Sequence, residues 1–171
     1  GLGQHVDISM LDCQISMLNY MATMQTMSGV VPEPIGNSHF VHMPYNSFLT
    51  IDYPIVIAAV GDQFWPRLLK LFNHPELHNP KYATALERQK DKAKLEKIIQ
   101  DELIKEKSDH WLRLLEEEAV PCARVNNIEQ ALNDQQVQHR NMLVDVPHPD
   151  GGSVKVPGNP IKLSESAKEE F

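Results

Sequence analysis

Apolar residues recur every three or four positions from Val6 to Ser28. Val6, Met10, Cys13, Met17, Met21, Met24 and Met27 form one row, and Leu11, Ile15, Leu18 and Ala22 form a second beside it. That is the period of a helical face, and the spacing predicts one long helix. So wide an apolar surface has to be covered by neighbours, and its methionines read as core packing rather than as an adaptable groove. No nearby segment supplies the cover, which leaves a partner or a further part of the protein to do so.

The pattern breaks from Gly29 to Pro44, where Pro32, Pro34, Gly36, Asn37 and Pro44 predict a long loop of a linking or functional kind. Two short β-branched and aromatic runs follow, Tyr45–Thr50 and Ile55–Val60, and predict a hairpin whose second strand is apolar on both faces. A helix is expected from Gly61-Asp62 to about Phe72, capped by Asp62, with Pro66 in its first turn and Leu68, Leu69, Leu71 and Phe72 buried. Asn73–Tyr82 reads as a connector. Ala83 to about Lys107 reads as a charged helix with the stripe Leu95, Ile98, Ile99 and Leu103.

Ser108 or Asp109 is placed to cap a shorter helix carrying Trp111, Leu112, Leu114 and Leu115, which Pro121 ends. Cys122–Val125 suits a strand, and Asn127 caps a helix through Leu132. Met142–Val146 and Ser153–Val156 predict a second hairpin around His148-Pro149-Asp150-Gly151-Gly152. The fold class is therefore α+β: a long N-terminal helix, then a small domain of antiparallel hairpins with packed helices. The expected division is 1–28 for the first helix, 29–44 for the loop, 45–147 for the small domain and 148–171 for a hairpin and return segment.

Charge narrows the partners. The formal net charge is −7, from 16 basic and 23 acidic residues, which argues against a general nucleic-acid binder. No apolar run is long enough to span a bilayer, and Cys13 and Cys122 form no disulfide framework. These features point to a cytoplasmic protein. The absence of an initiator Met before Gly1 and the abrupt start of the first helix suggest a piece of something longer.

Candidate chemistry is sparse. The close histidine pairs, His39/His42 and His74/His78, have neither the helical H-E-x-x-H arrangement nor a thiolate at zinc-site spacing, so no metal is expected. Cys13 on the helix stripe and Cys122 after a proline read as inert core thiols. No phosphate-binding loop or nucleophile elbow occurs, and composition and spacing yield no active site.

The residues do carry a resemblance. Gly3-Gln4-His5-Val6-Asp7-Ile8-Ser9-Met10-Leu11-Asp12 is similar to the G-Q-x-V-D-x-S-x-x-(D/E) segment of the family III CoA-transferases, the CaiB/BaiF family. Gly36-Asn37-Ser38-His39, Pro44-Tyr45-Asn46-Ser47-Phe48, Trp65 and Leu68, and Glu87-Arg88 with Leu95 resemble further family segments in their order. So do Trp111, Val120-Pro121, Ala131-Leu132, Gln135, Arg140-Asn141-Met142, His148-Pro149, Val156-Pro157-Gly158 and Pro160–Ser164. Two departures stand out. Asp52-Tyr53-Pro54 replaces the usual D-G turn, which puts its geometry in question. The loop between Gly29 and Pro44 lacks the glycine-rich run of formate-specific members, which argues against a formyl-CoA/oxalate enzyme.

The resemblance implies a parent with a large Rossmann-like α/β domain and a small α+β domain, assembled as an interlocked homodimer. It implies transfer of CoA from an acyl-CoA to a carboxylic acid through an aspartyl mixed anhydride, with the CoA thioester as substrate and no separate cofactor. The aspartate of the family lies upstream of G-Q-x-V-D and so before Gly1, leaving no catalytic residue in this chain. Asp7 and Asp12 are then capping or surface groups. Substrate contacts are expected from the loop, at Gly36, Asn37, His39 and Tyr45, with an ordinary linker as the opposing reading. Two other functions stay open: an acyl-CoA racemase or isomerase of the same family, and a non-catalytic interaction domain derived from it.

Overall fold

The structure is a computed structural model in which residues 2–162 are described. The polar tail Ser164–Phe171 and the end of the expected return segment lie outside the described residues. The chain divides into two compact units, one ending at Phe40 and the other beginning at Val41.

The first unit holds two helices where the sequence predicts one: α1 (Met10–Met17) and α2 (Tyr20–Ser28). The Ser9 side chain accepts from Asp12 N–H and starts α1, so Val6 lies outside it. Asn19, at φ 49°, separates the helices while the apolar rows run on. Asn is more frequent at positive φ than other residues with a side chain, and a single such residue breaks the helix without disturbing the stripe. Gly29, at φ 73°, closes α2 with its N–H on Gln25 O at 2.8 Å, a left-handed helix end that favours glycine. Neither helix has a buried residue, and Met10 is 86% exposed. Cys13, expected in a core, is exposed too.

The second unit is built on an antiparallel sheet ordered β1 (Tyr45–Phe48), β2 (Ile55–Ala58), β3 (Cys122–Arg124). Tyr45 faces Ala58 and Phe48 faces Ile55 across the hairpin, and Ile57 faces Cys122. Ile55 and Ile57 are fully buried while Val56 and Ala58 are half-buried, as a central strand requires.

Helices cover this sheet. Leu95, Ile99 and Leu103 of α5 (Lys92–Leu103) and Trp111 and Leu115 of α6 (Ser108–Glu117) join Phe48, Ile55 and Ile57 in one core. Trp111 seats its ring 5.5 Å from Phe72 and donates Nε1–H to Leu103 O at 2.9 Å, which satisfies its buried polar atom.

Several helix limits differ from the sequence reading. The element after Gly61 is a 3₁₀ turn, Asp62–Phe64, followed by the short α3 (Trp65–Leu69), with Pro66 in its first turn. Asp62 does not cap it, because its Oδ1 accepts from Ala85 N–H at 2.7 Å and from Arg88 at 2.6 Å. The charged helix is split into α4 (Ala85–Lys90) and α5 by Asp91, whose carboxylate binds the Tyr82 hydroxyl and Lys81 instead of continuing a helical turn.

Neither Ser108 nor Asp109 caps α6. Ser108 is its first residue, and Asp52 from the β1–β2 turn accepts the Ser108 N–H at 2.8 Å, while Asp109 pairs with Arg124. The helix after Asn127 is α7 (Ile128–Leu132), with the expected cap made reciprocal by Gln130. An unexpected turn of helix, α8 (Gln135–His139), follows with Asp134 as its cap. The last hairpin, β4 (Leu143–Pro147) with β5 (Ser153–Pro157), is a separate two-stranded sheet.

Candidate functional site

The loop after Gly29 is shaped by one glycine turn. Gly36 sits at φ 63° and Ser38 N–H returns to Ile35 O at 3.3 Å, closing the turn through Gly36 and Asn37. No heavy atom would crowd a Cβ at Gly36, so backbone conformation rather than space calls for glycine. Asn37 is exposed at the tip, and His39 follows half-buried. The imidazole stacks on Phe40 at 4.9 Å between centroids and on Tyr20, the first residue of α2, at 6.4 Å. The loop therefore folds back on α2, which holds the His39 ring in a set orientation.

Gly36, Asn37 and His39 belong to the first unit. Tyr45 belongs to the second, half-buried at the start of β1. The structure thus gathers three of the four predicted residues into one short segment and assigns the fourth to the sheet.

A buried cation lies behind Tyr45 in the chain and was invisible as a site residue in the sequence. Arg88 is 1% exposed. Its Nε donates to Met43 O at 3.0 Å, Nη1 to Tyr82 O at 2.8 Å and Ala83 O at 3.1 Å, and Nη2 to Asp62. Its guanidinium also lies 5.0 Å from the centre of the Trp65 ring. Charge, hydrogen bonds and an aromatic face together make burial of this cation tolerable. A groove of about 310 Å³, walled by Trp65, Pro66, Leu69 and Pro80, opens beside Asp62.

The remaining polar clusters are structural. The Tyr82 hydroxyl donates to Asp91 at 2.7 Å and lies 3.2 Å from Glu76, which Lys94 holds at 2.6 Å. Burial pushes the Tyr82 phenol above its ordinary value, and Asp91 holds it there. Lys81 and the same phenol keep the Asp91 carboxyl below the usual range. Burial raises the Cys122 thiol, which leaves little reactive thiolate. His78 places Nε2 2.9 Å from Phe72 O, and His74 Nδ1 accepts from Glu76 N–H at 3.3 Å. Among the described residues no three His, Cys, Asp or Glu side chains converge as a metal site. No helix among them is long and apolar enough to cross a membrane.

The Asp52-Tyr53-Pro54 turn resolves the departure seen in the sequence. Asp52 Oδ1 accepts from Ser108 N–H and from Tyr53 N–H at 2.9 Å, and the Thr50 hydroxyl donates to Tyr53 O at 2.6 Å. No residue from Leu49 to Pro54 has positive φ, so this turn has no need of the glycine in D-G.

The chain is similar in sequence and fold to several known proteins. The acetyl-CoA:oxalate CoA-transferase of Acetobacter aceti is 30% identical over 165 residues, 96% of this chain and 41% of that protein. The succinyl-CoA:mesaconate CoA-transferase of Haloarcula hispanica is 34% identical over 167 residues, 97% of this chain and 42% of its own. The human succinyl-CoA:glutarate CoA-transferase is 30% identical, again over 96% of this chain and 38% of its own length. Among solved structures, a CaiB/BaiF family protein from Brucella suis superimposes with a TM-score of 0.75 at 29% identity, over 96% of this chain and 42% of that one. The chain thus spans about two-fifths of the length of these relatives. The pattern defining CoA-transferase family III matches residues 1–170, and the chain belongs to that family.

Proposed function

We propose that this chain is the small-domain portion, with its flanking helices, of an acyl-CoA:carboxylate CoA-transferase that uses short dicarboxylic acids. The observation that carries the reading is the family match over residues 1–170, together with relatives named for transfer to oxalate, glutarate and mesaconate. In the proposed reaction an aspartate upstream of Gly1 attacks the acyl-CoA carbonyl carbon, the C–S bond breaks and CoA leaves as the thiolate. In the resulting mixed anhydride the thiolate attacks the aspartyl carbonyl and expels the donor acid as its carboxylate. The acceptor carboxylate displaces CoA from that thioester to form a second anhydride. The thiolate then attacks the acceptor's acyl carbon, giving the new thioester and restoring the aspartate. A carboxylate nucleophile divides one difficult transfer into easier ones. CoA enters as part of the substrate, and no resident cofactor is required.

Residues of this chain bind and orient. Asn37, His39 and Tyr45 donate hydrogen bonds to the oxyanion that develops on the attacked carbonyl or to the substrate carboxylate, and Gly36 permits the turn that presents Asn37. Residues 1–80 contain just two cations, Arg67 and Lys70, so the phosphates of CoA take most of their counter-charge from elsewhere in the protein. The working assembly in this reading is the interlocked homodimer of the family, in the cytoplasm.

The experiment assays the complete protein for a new thioester from succinyl-CoA and a dicarboxylic acid, and in parallel for α-proton exchange in solvent deuterium. Thioester transfer without proton exchange is the expected result. Exchange without transfer replaces the reading with a racemase, and neither activity replaces it with an interaction domain. The 171 residues alone are expected to give no turnover, and turnover by them would return Asp7, Asp12 or Asp52 to consideration as nucleophile.

A further inference from the structure

We infer that Arg88 is a positioning residue for the proposed substrate-binding loop: by holding the Met43 carbonyl it fixes the point from which Tyr45 is presented. The inference rests on the reading of that loop given above. Its own basis is the arrangement of acceptors around the guanidinium.

A buried cation that served only neutralisation would meet carboxylates. Arg88 instead meets three backbone carbonyls, of Met43, Tyr82 and Ala83, and one carboxylate oxygen of Asp62. Of these acceptors the Met43 carbonyl alone belongs to the loop. The Met43 side chain is itself 1% exposed in the core, and the next carbonyl, of Pro44, accepts from Ala59 N–H at 3.0 Å. Two consecutive peptide units are thereby held, the first by a buried side chain and a guanidinium and the second by the residue that follows β2. Tyr45 begins β1 immediately after them, opposite Ala58.

A binding group is only as well placed as the backbone that carries it, and a displacement near one ångström is costly in catalysis. Asp62 completes the device. Its Oδ1 receives both Arg88 and the Ala85 N–H, so the guanidinium is turned toward Met43 by a carboxylate that is itself tied to the start of α4. A volume-filling residue would satisfy the core here without a desolvated charge. Lysine would keep the charge but lacks the planar fork that reaches carbonyls in two segments at once.

The test uses Arg88→Lys and Asp62→Asn in the complete protein, with amide hydrogen exchange and steady-state transfer kinetics measured on each. For Arg88→Lys, exchange at Ala59 N–H should rise at least tenfold while Leu95, Ile99 and Trp111 change less than twofold. Turnover should fall at least tenfold with the acyl-CoA KM moving less than threefold. Asp62→Asn, which keeps the guanidinium, should raise Ala59 exchange about threefold, and it decides the matter if Arg88→Lys does not fold. Unchanged Ala59 exchange in the variants that fold, or a rise shared equally by the helical core, overturns the positioning role. Local loosening at Ala59 with wild-type transfer in both Arg88→Lys and Tyr45→Phe upholds the anchor and removes Tyr45 from substrate binding.

Discussion

Gln100 hydrogen-bonds both sides of one peptide residue: its Oε1 accepts from Leu49 N–H at 2.8 Å and its Nε2 donates to Leu49 O at 2.9 Å. The amide thus imitates a neighbouring strand at the end of β1, an exposed edge that would otherwise present unpaired backbone groups. Gln100→Met keeps the length and removes both bonds. It should cost about 1–2 kcal/mol in denaturant unfolding, at roughly 1 kcal/mol per hydrogen bond. A midpoint equal to wild type would show that water replaces the side chain without loss.

Asp52 makes stability depend on acid. The Ser108 N–H first, then the Tyr53 N–H and the Thr50 hydroxyl, hold its carboxyl well below the usual carboxylate range. The folded state therefore binds this proton less readily than the unfolded chain, whose Asp titrates near ~3.9. The contribution is complete above that value and declines as pH falls from there toward the folded pKa. Asp52→Asn should flatten the acid limb of a stability–pH curve below about pH 4. An unaltered limb would assign acid sensitivity to other carboxylates.

In the complete protein, His39→Ala and Tyr45→Phe should lower CoA transfer more than they disturb folding. Loss of one oxyanion donor typically costs ~3 kcal/mol in the transition state, roughly a hundredfold in rate. Rate measurements beside thermal unfolding separate the effects. Wild-type rates in both variants would make the segment from Gly36 to Tyr45 an ordinary linker.

The exposed rows of α1 and α2 should draw copies of the 171-residue chain together. Met17 is 74% exposed, and Met10, Leu11 and Ile15 are exposed with it. Burying such side chains yields ~1.5–3 kcal/mol apiece. Sedimentation should find a dimer or larger species, and Met17→Glu with Met24→Glu should return a monomer that keeps the core around Trp111. A wild-type monomer with Met17 and Met24 protected from oxidation would contradict this.

What the sequence makes legible is what is local. The β1–β2 and β4–β5 hairpins follow from alternation and turn residues within a dozen positions, and the α5 stripe from its own period. The break at Asn19 is hidden because the apolar rows continue through it, and the break at Asp91 because it falls in the polar run 87–92, where there is no stripe to interrupt. The short α8 is hidden for the opposite reason: Val137 is its one apolar residue, and no stripe announces it. The cap of α6 comes from Asp52, fifty-six residues earlier, beyond the reach of any local pattern. The proposed substrate contacts, Gly36, Asn37, His39 and Tyr45, come from family resemblance. Arg88 reads there as one more residue of a charged helix, because its acceptors are backbone carbonyls with no signature in the sequence.

The β4–β5 hairpin has a kinetic consequence. Its ladder pairs only its own two strands, its turn closes through His148 and Gly152, and its ion pair joins Lys155 to Asp145 on the facing strand. Of the ten strand residues only Val144 is buried. Contacts this close in sequence form early and at little loop-closure cost, yet a lone two-stranded ribbon is marginal in water. The hairpin should open and close many times during one lifetime of the native core. Proteases that need an extended backbone should cut there while the β1–β3 sheet stays intact.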